Sequence, residues 1–383
     1  MSRSQSHGIA GHCDAAFTLV REAMADNLAD PRSVGESVAV VLDGRLVVDL
    51  WGGARDAVGT PWAQDTLVCM FSVGKAIAAL AVWLLVQRGR IEIDRPVAHY
   101  WPEYAQAGKA DTTVAQLLAH MAGIPGAFAA ARGDAYDWAA MVRAIERQEP
   151  LWPPGSVGCY HTFTYGHLTG ELVRRVDGRG IGQFVREEIA RPLGVSYGFG
   201  LTPAEQARCA DIVYAPSNPN LGWLTDPDTL LGRCWVPLPY GDEEDFNTAR
   251  CRTAEMPAFN GHGTARAVAA IYGALAGAPL PDGTRLLDEA CLDAALTEQW
   301  DAVDPLGLNY RMARGFKLSN SVTPFTGHPL SFGQNGLNGA VGFGERERRV
   351  GFCYAPNTVA PEAGPGPFVR HVCDALQASL AAL

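Results

Sequence analysis

Between Val73 and Gln87 the chain carries fifteen residues with a single charge, Lys75, and otherwise little but Ala, Leu, Val, Ile and Trp. A segment apolar on every side has no face for water, so it reads as a helix buried on all sides. Ser72 stands immediately before it, where a helix start favours a hydroxyl. The fold must therefore be deep enough to surround this helix, and must hold one lysine inside it.

The remaining patterns say what does the surrounding. Ala15 to Asn27 has helical periodicity. Ser37–Leu42 and Leu46–Leu50, joined through Asp43-Gly44, read as a β-hairpin. Helical patches broken by Pro and Gly fill the middle: Val114–His120, Trp138–Arg147, Gly166–Val176, Ile181–Ala190 and Thr264–Ala276. Asn218–Thr253 has no period and reads as a long irregular excursion. Leu330–Phe332, Gly339–Phe343 and Arg349–Tyr354 read as short strands, and Pro367–Leu380 as a closing helix. Strands at both ends with helices between predict an α/β (α+β) fold: one antiparallel sheet flanked by helices, with a second, mostly helical lobe. The expected division is a single unit with an α/β lobe of about residues 1–88 plus 285–383 and a helical lobe of about 89–284.

Composition narrows the function classes. With 48% hydrophobic and 19% charged residues over 383 positions, the chain is an ordinary globular one. The formal net charge of −10 repels phosphate backbones, so no nucleic acid partner is expected. Nine scattered cysteines with no Cys-x-x-Cys pair indicate neither a disulfide framework nor a zinc site. The polar stretch Met1–Ala15 lacks the apolar core of a signal peptide, and no eighteen-residue apolar stretch occurs; the expectation is a cytoplasmic protein with no membrane partner. Of 31 basic residues only three are lysines, Lys75, Lys109 and Lys317, so a lysine within a motif carries weight.

The chemistry centres on Ser72-Val73-Gly74-Lys75. A serine hydroxyl is a weak nucleophile until a base takes its proton. Residues three apart on a helix lie on one face, so Lys75 can reach Ser72. Burial disfavours the ammonium and makes a lysine a base near neutral pH. A serine at a helix start also has free N–H groups beside any developing oxyanion.

Three blocks in order carry a resemblance: Ser72-Val73-Gly74-Lys75, Gly89-Arg90-Ile91-Glu92-Ile93-Asp94-Arg95-Pro96-Val97, and Leu117-Leu118-Ala119-His120-Met121-Ala122-Gly123-Ile124-Pro125. From about Ser37 to Tyr354 the chain resembles the class C β-lactamase-like and penicillin-binding-protein-like serine hydrolases, nearest to the family VIII esterases. The resemblance implies Ser72 as nucleophile and Lys75 as its activator. It implies Tyr160, after Pro154-Gly155, as a proton relay whose pKa a neighbouring cation lowers; Thr162 stands where such enzymes often carry Asn. It implies that Gly333-Gln334-Asn335-Gly336-Leu337 is the strand lining the site, with the backbone N–H groups of Ser72 and Leu337 as oxyanion donors. Gln334 stands where a cationic or titratable residue is usual, which favours a neutral ester over a carboxylate-bearing substrate. Gln334, Asn335, Gly336, His161, Trp152 and Trp223 are the candidate substrate contacts, and Trp235 could also wall an acyl pocket.

Competing signals are weaker. Gly194-Val195-Ser196-Tyr197-Gly198 has the spelling of a nucleophile elbow, but it follows a helical segment rather than a strand and reads as a decoy. His161 and His167, or His7 and His12, have no carboxylate at metal-ligand spacing, so no metal is expected, and no organic cofactor. The expectation is a serine hydrolase acting through an acyl-enzyme on a small ester. An amidase or D-amino-acid peptidase, or an acyltransferase, would use the same machinery, and a catalytically silent ligand sensor is the alternative of another class. Oligomeric state is not legible.

Overall fold

The computed structural model describes residues 8–214, 226–238, 246–321, 325, 328–359 and 365–383. Its centre is a nine-stranded antiparallel sheet. In chain order the strands are β1 (Ala10–Cys13), β2 (Gly35–Leu42), β3 (Arg45–Gly53), β4 (Trp300–Val303), β5 (Asn309–Met312), β6 (Lys317–Leu318), β7 (Ser331–Asn335), β8 (Val341–Glu345) and β9 (Val350–Pro356). They lie side by side as β1-β3-β2-β9-β8-β7-β6-β5-β4. The two ends of the chain thus share one sheet, as the clustering of strand patterns at the termini predicts.

The β2–β3 hairpin turns on Asp43 and Gly44, both with positive φ (50° and 79°). That geometry matches the right-handed twist of the two strands, and it is why Asp-Gly marks such a turn. Alternation then sorts β2 between two cores. Val38 and Val40 pack with α1 (Thr18–Ala29) and the C-terminal helix Pro367–Ala381, while Ala39 and Val41 join the larger core on the other face. On that face helix Ala265–Leu275 comes unusually close. A Cβ on Gly351 would stand 2.1 Å from the Ala269 carbonyl oxygen and 2.3 Å from the Gly273 nitrogen.

The helix predicted after Ser72 is present over Val73–Gln87 (α2), buried without a break from Val73 to Leu85. Helices Trp138–Arg147, Thr164–Asp177 and Ala265–Leu275 also stand where periodicity puts them. The excursion Asn218–Thr253 is not wholly irregular: its described residues include the short helices Leu230–Trp235 and Ala249–Thr253. Strands β1, β4, β5 and β6 escape the sequence reading. β1 and β4 are mostly exposed, so neither shows apolar alternation, and β6 is two residues long. No helix among the described residues is long and apolar enough to cross a membrane.

Candidate active site

Ser72 sits at the N-terminus of α2, reached by a small three-stranded sheet of Val68–Cys69, His262–Gly263 and Tyr197–Gly198. Phe71 makes the turn into the helix with φ +46°, a left-handed conformation costly for a bulky L-residue. Its buried ring is held edge-on by Phe246 (5.0 Å) and Phe259 (5.1 Å). The strained turn leaves Ser72 partly exposed while its neighbours are buried.

One turn on, the fully buried Lys75 places Nζ 2.9 Å from Ser72 Oγ and 2.8 Å from the Ala258 carbonyl oxygen. Gly74 makes this anchor possible. A Cβ there would meet the Pro257 carbonyl oxygen at 2.5 Å, so only glycine lets the 257–258 backbone lie against α2. Burial drives the Lys75 pKa well below its ordinary value, and the nearby Lys317 lowers it further. Nζ is thereby held between the Ala258 carbonyl and the Ser72 hydroxyl.

Tyr160 lies across from Lys75, whose Nζ is 4.8 Å from the ring centre. His120 supports the ring from beneath: it stacks on Tyr160 (4.9 Å) and on Tyr165 (4.0 Å). The Tyr160 backbone N–H donates to Asp304 Oδ2 at 2.8 Å. The expectation of a lowered Tyr160 pKa is corrected here. Burial outweighs the opposing hydrogen bond to Ser72, the Asp304 carboxylate adds to it, and the phenol is pushed up. The two shifts run in opposite senses, burial favouring the protonated phenol of Tyr160 and the neutral amine of Lys75.

The other side of the cleft is the turn after β7. Gly336 lies against the segment leading to Ser72, where a Cβ would stand 2.4 Å from the Met70 carbonyl oxygen. Asn338 ties the turn down, donating to the carbonyls of Cys69 (3.1 Å) and Pro356 (2.7 Å). Among the described residues, neither the Ser72 nor the Leu337 backbone N–H has an acceptor in the protein. Gln334 is buried and folded onto its own strand, its Oε1 accepting from the Asn335 N–H at 3.0 Å. Asn335 Oδ1 accepts from Lys317 Nζ at 2.6 Å.

Three candidate contacts fare differently. His161 is a scaffold residue rather than a substrate contact: the buried ring donates Nδ1–H to the Cys159 carbonyl (2.6 Å) and accepts at Nε2 from the Ile124 N–H (3.3 Å), so no ring atom is left for a ligand. Trp152 is half-buried with its indole N–H unpartnered, and no hydrogen bond or ring contact joins it to Ser72, Lys75 or Tyr160. Trp223 lies outside the described residues. Trp235 packs edge-on against Phe259 (5.3 Å), and so against the support of Phe71. Ser196 is exposed, immediately before the two-residue strand Tyr197–Gly198. His328, Glu345 and Glu347 offer ligand atoms within 4.8 Å of one another, but at the Ser331 end of β7, away from Ser72.

Ser72, Lys75, the buried Tyr160 and the strand beside them all fall within residues 18–369, which match the Beta-lactamase family. The chain belongs to the Beta-lactamase family. Within it, the chain is 33% identical to Esterase/beta-lactamase LipL of Mycobacterium tuberculosis, over 91% of this chain and 82% of that protein. A penicillin-binding protein homolog from Caulobacter crescentus superimposes with a TM-score of 0.87 at 35% identity, covering 97% of this chain and 99% of the other. A family VIII carboxylesterase does so with a TM-score of 0.85 at 34% identity and the same coverage. Such relatives make this member of the Beta-lactamase family a serine carboxylesterase-type hydrolase.

Sequence reasoning missed Lys317, Asp304, His120 and Asn338. Lys317 carried a signal in the rarity of lysine and His120 in its place within the Leu117–Pro125 block; Asp304 and Asn338 are brought in by contacts across more than a hundred positions.

Proposed function

We propose that the chain hydrolyses small, neutral carboxylic esters through an acyl-enzyme on Ser72. The observation that carries this is the buried Lys75 amine 2.9 Å from a hydroxyl that solvent can reach. Lys75 takes the Ser72 proton as Oγ attacks the ester carbonyl. The Ser72 and Leu337 N–H groups receive the oxyanion. As the tetrahedral species collapses, Tyr160 gives its proton to the leaving alcohol and recovers one from Lys75. Water then attacks the acyl group, passing its proton back through the same amine, and Ser72 leaves with a proton. Gln334, turned onto its own backbone, presents no charge to a substrate carboxylate, which supports a neutral substrate.

The test is hydrolysis of p-nitrophenyl acetate and butyrate by the wild type, Ser72→Ala and Ser196→Ala, with mass mapping of a covalent phosphonate. Loss in Ser72→Ala alone, with label on Ser72, is expected. Activity retained by Ser72→Ala would refute the assignment. Turnover of anilides, or of esters with added alcohols, reads the amidase and acyltransferase variants of the same chemistry.

A further inference from the structure

The strand position where a cation is usual holds Gln334, yet a cation is present. Lys317 comes from the neighbouring strand β6, in register with Gly333. Its buried Nζ bonds Asn335 Oδ1 at 2.6 Å, lies 3.8 Å from the centre of the Tyr310 ring and 5.0 Å from that of Tyr160. Two of the three lysines in the chain therefore converge on one tyrosine. The third, Lys109, is spent on the backbone carbonyls of Gln106, Glu146 and Gln148.

We infer that Lys317 is the positioning residue that keeps Lys75 a free base, holding the one proton the two amines can share. This rests on the reading of Lys75 as the base of Ser72. Each amine lies about 5 Å from the same ring centre, so they stand within roughly 10 Å of each other, and the low-dielectric interior disfavours two ammonium groups at that range. The surroundings decide which one is charged. Burial lowers the Lys317 pKa as it does that of Lys75, but Lys317 has an amide oxygen, two ring faces and the opposing field of Asp304, whose carboxylate accepts the N–H groups of Tyr160, Leu306 and Leu308 at 2.8–2.9 Å. Lys75 has one backbone carbonyl, one hydroxyl and one ring face. The other titratable groups facing it, His120, His161 and Tyr160, are held neutral by burial. The proton belongs on Lys317, and its charge in turn opposes protonation of Lys75.

The test is the pH dependence of Ser72 phosphonylation in wild type, Lys317→Met and Lys317→Arg. Removing the neighbouring cation raises the Lys75 pKa, so the acidic limb in Lys317→Met should move up by about one pH unit, while Lys317→Arg keeps the wild-type limb. A limb that stays in place in Lys317→Met, or moves as far in Lys317→Arg, overturns the inference. Should the variants fail to fold, 13C-lysine NMR of the wild-type chain, with only three lysines, decides the same point. Lys75 is the signal that shifts on phosphonylation, and Lys109 the one missing from Lys109→Arg. Lys75 titrating below Lys317 is expected, and the reverse order refutes the proposal. Failure to label Ser72 in wild type would instead sink the underlying reading of the site.

Discussion

Gly74→Ala separates catalysis from stability. The new Cβ would stand 2.5 Å from the Pro257 carbonyl oxygen and 2.9 Å from Phe199 Cε1. Relief to a van der Waals distance of ~3.5 Å requires a shift of about 1 Å in the 257–258 backbone, since α2 is packed on every side. Overpacking of this kind costs about 1–3 kcal/mol. For 383 residues, at about 2.1 cal/mol/K each, the unfolding entropy is ~0.8 kcal/mol/K, so the melting temperature should fall by only about 1–4 °C. The same shift carries off the Ala258 carbonyl that orients Lys75 Nζ. A misplacement of about 1 Å at a catalytic group costs about 100-fold in rate. The assays are calorimetry and p-nitrophenyl butyrate turnover on one preparation. A variant that melts a few degrees lower yet keeps kcat within threefold of wild type would refute the claim that glycine is needed there to seat the base.

Asn338→Ala strands the buried Cys69 and Pro356 carbonyls, at about 1–3 kcal/mol each, and frees the turn carrying the Leu337 N–H. The melting temperature should fall by several degrees and kcat by about tenfold or more, with KM little changed; a drop in stability at full kcat would show that the turn does not position an oxyanion donor. Away from the site, Glu36 is fully buried beside Tyr354, and burial raises its pKa from 4.5 to about 8. The folded state then binds a proton that the unfolded state has released, so this contribution is complete below pH 4.5 and is lost as pH rises toward 8. Relative to Glu36→Gln, the wild type should lose on the order of 3 kcal/mol between pH 5 and 8 in urea unfolding, and a pH-independent difference would show that Glu36 is ionised in the fold.

Local pattern carried a large part of this protein. An apolar run with no polar face can only be a buried helix, and Ser72, Gly74 and Lys75 come with it because three-residue spacing on a helix is itself a distance. The Asp43-Gly44 hairpin is legible for the same reason: its backbone geometry is set by the two residues that make it. Tyr160 was visible by resemblance, but its ionisation was not, because that depends on how much water the fold removes and on Asp304, 144 positions away. His161 looked like a ligand contact until its two nitrogens met Cys159 and Ile124. Lys317 shows the limit most clearly. In sequence it belongs to no motif, and its strand is two residues long. Only the pairing of β6 with β7 places its amine beside Tyr160, because the register between strands is a property of the whole sheet and not of either strand alone.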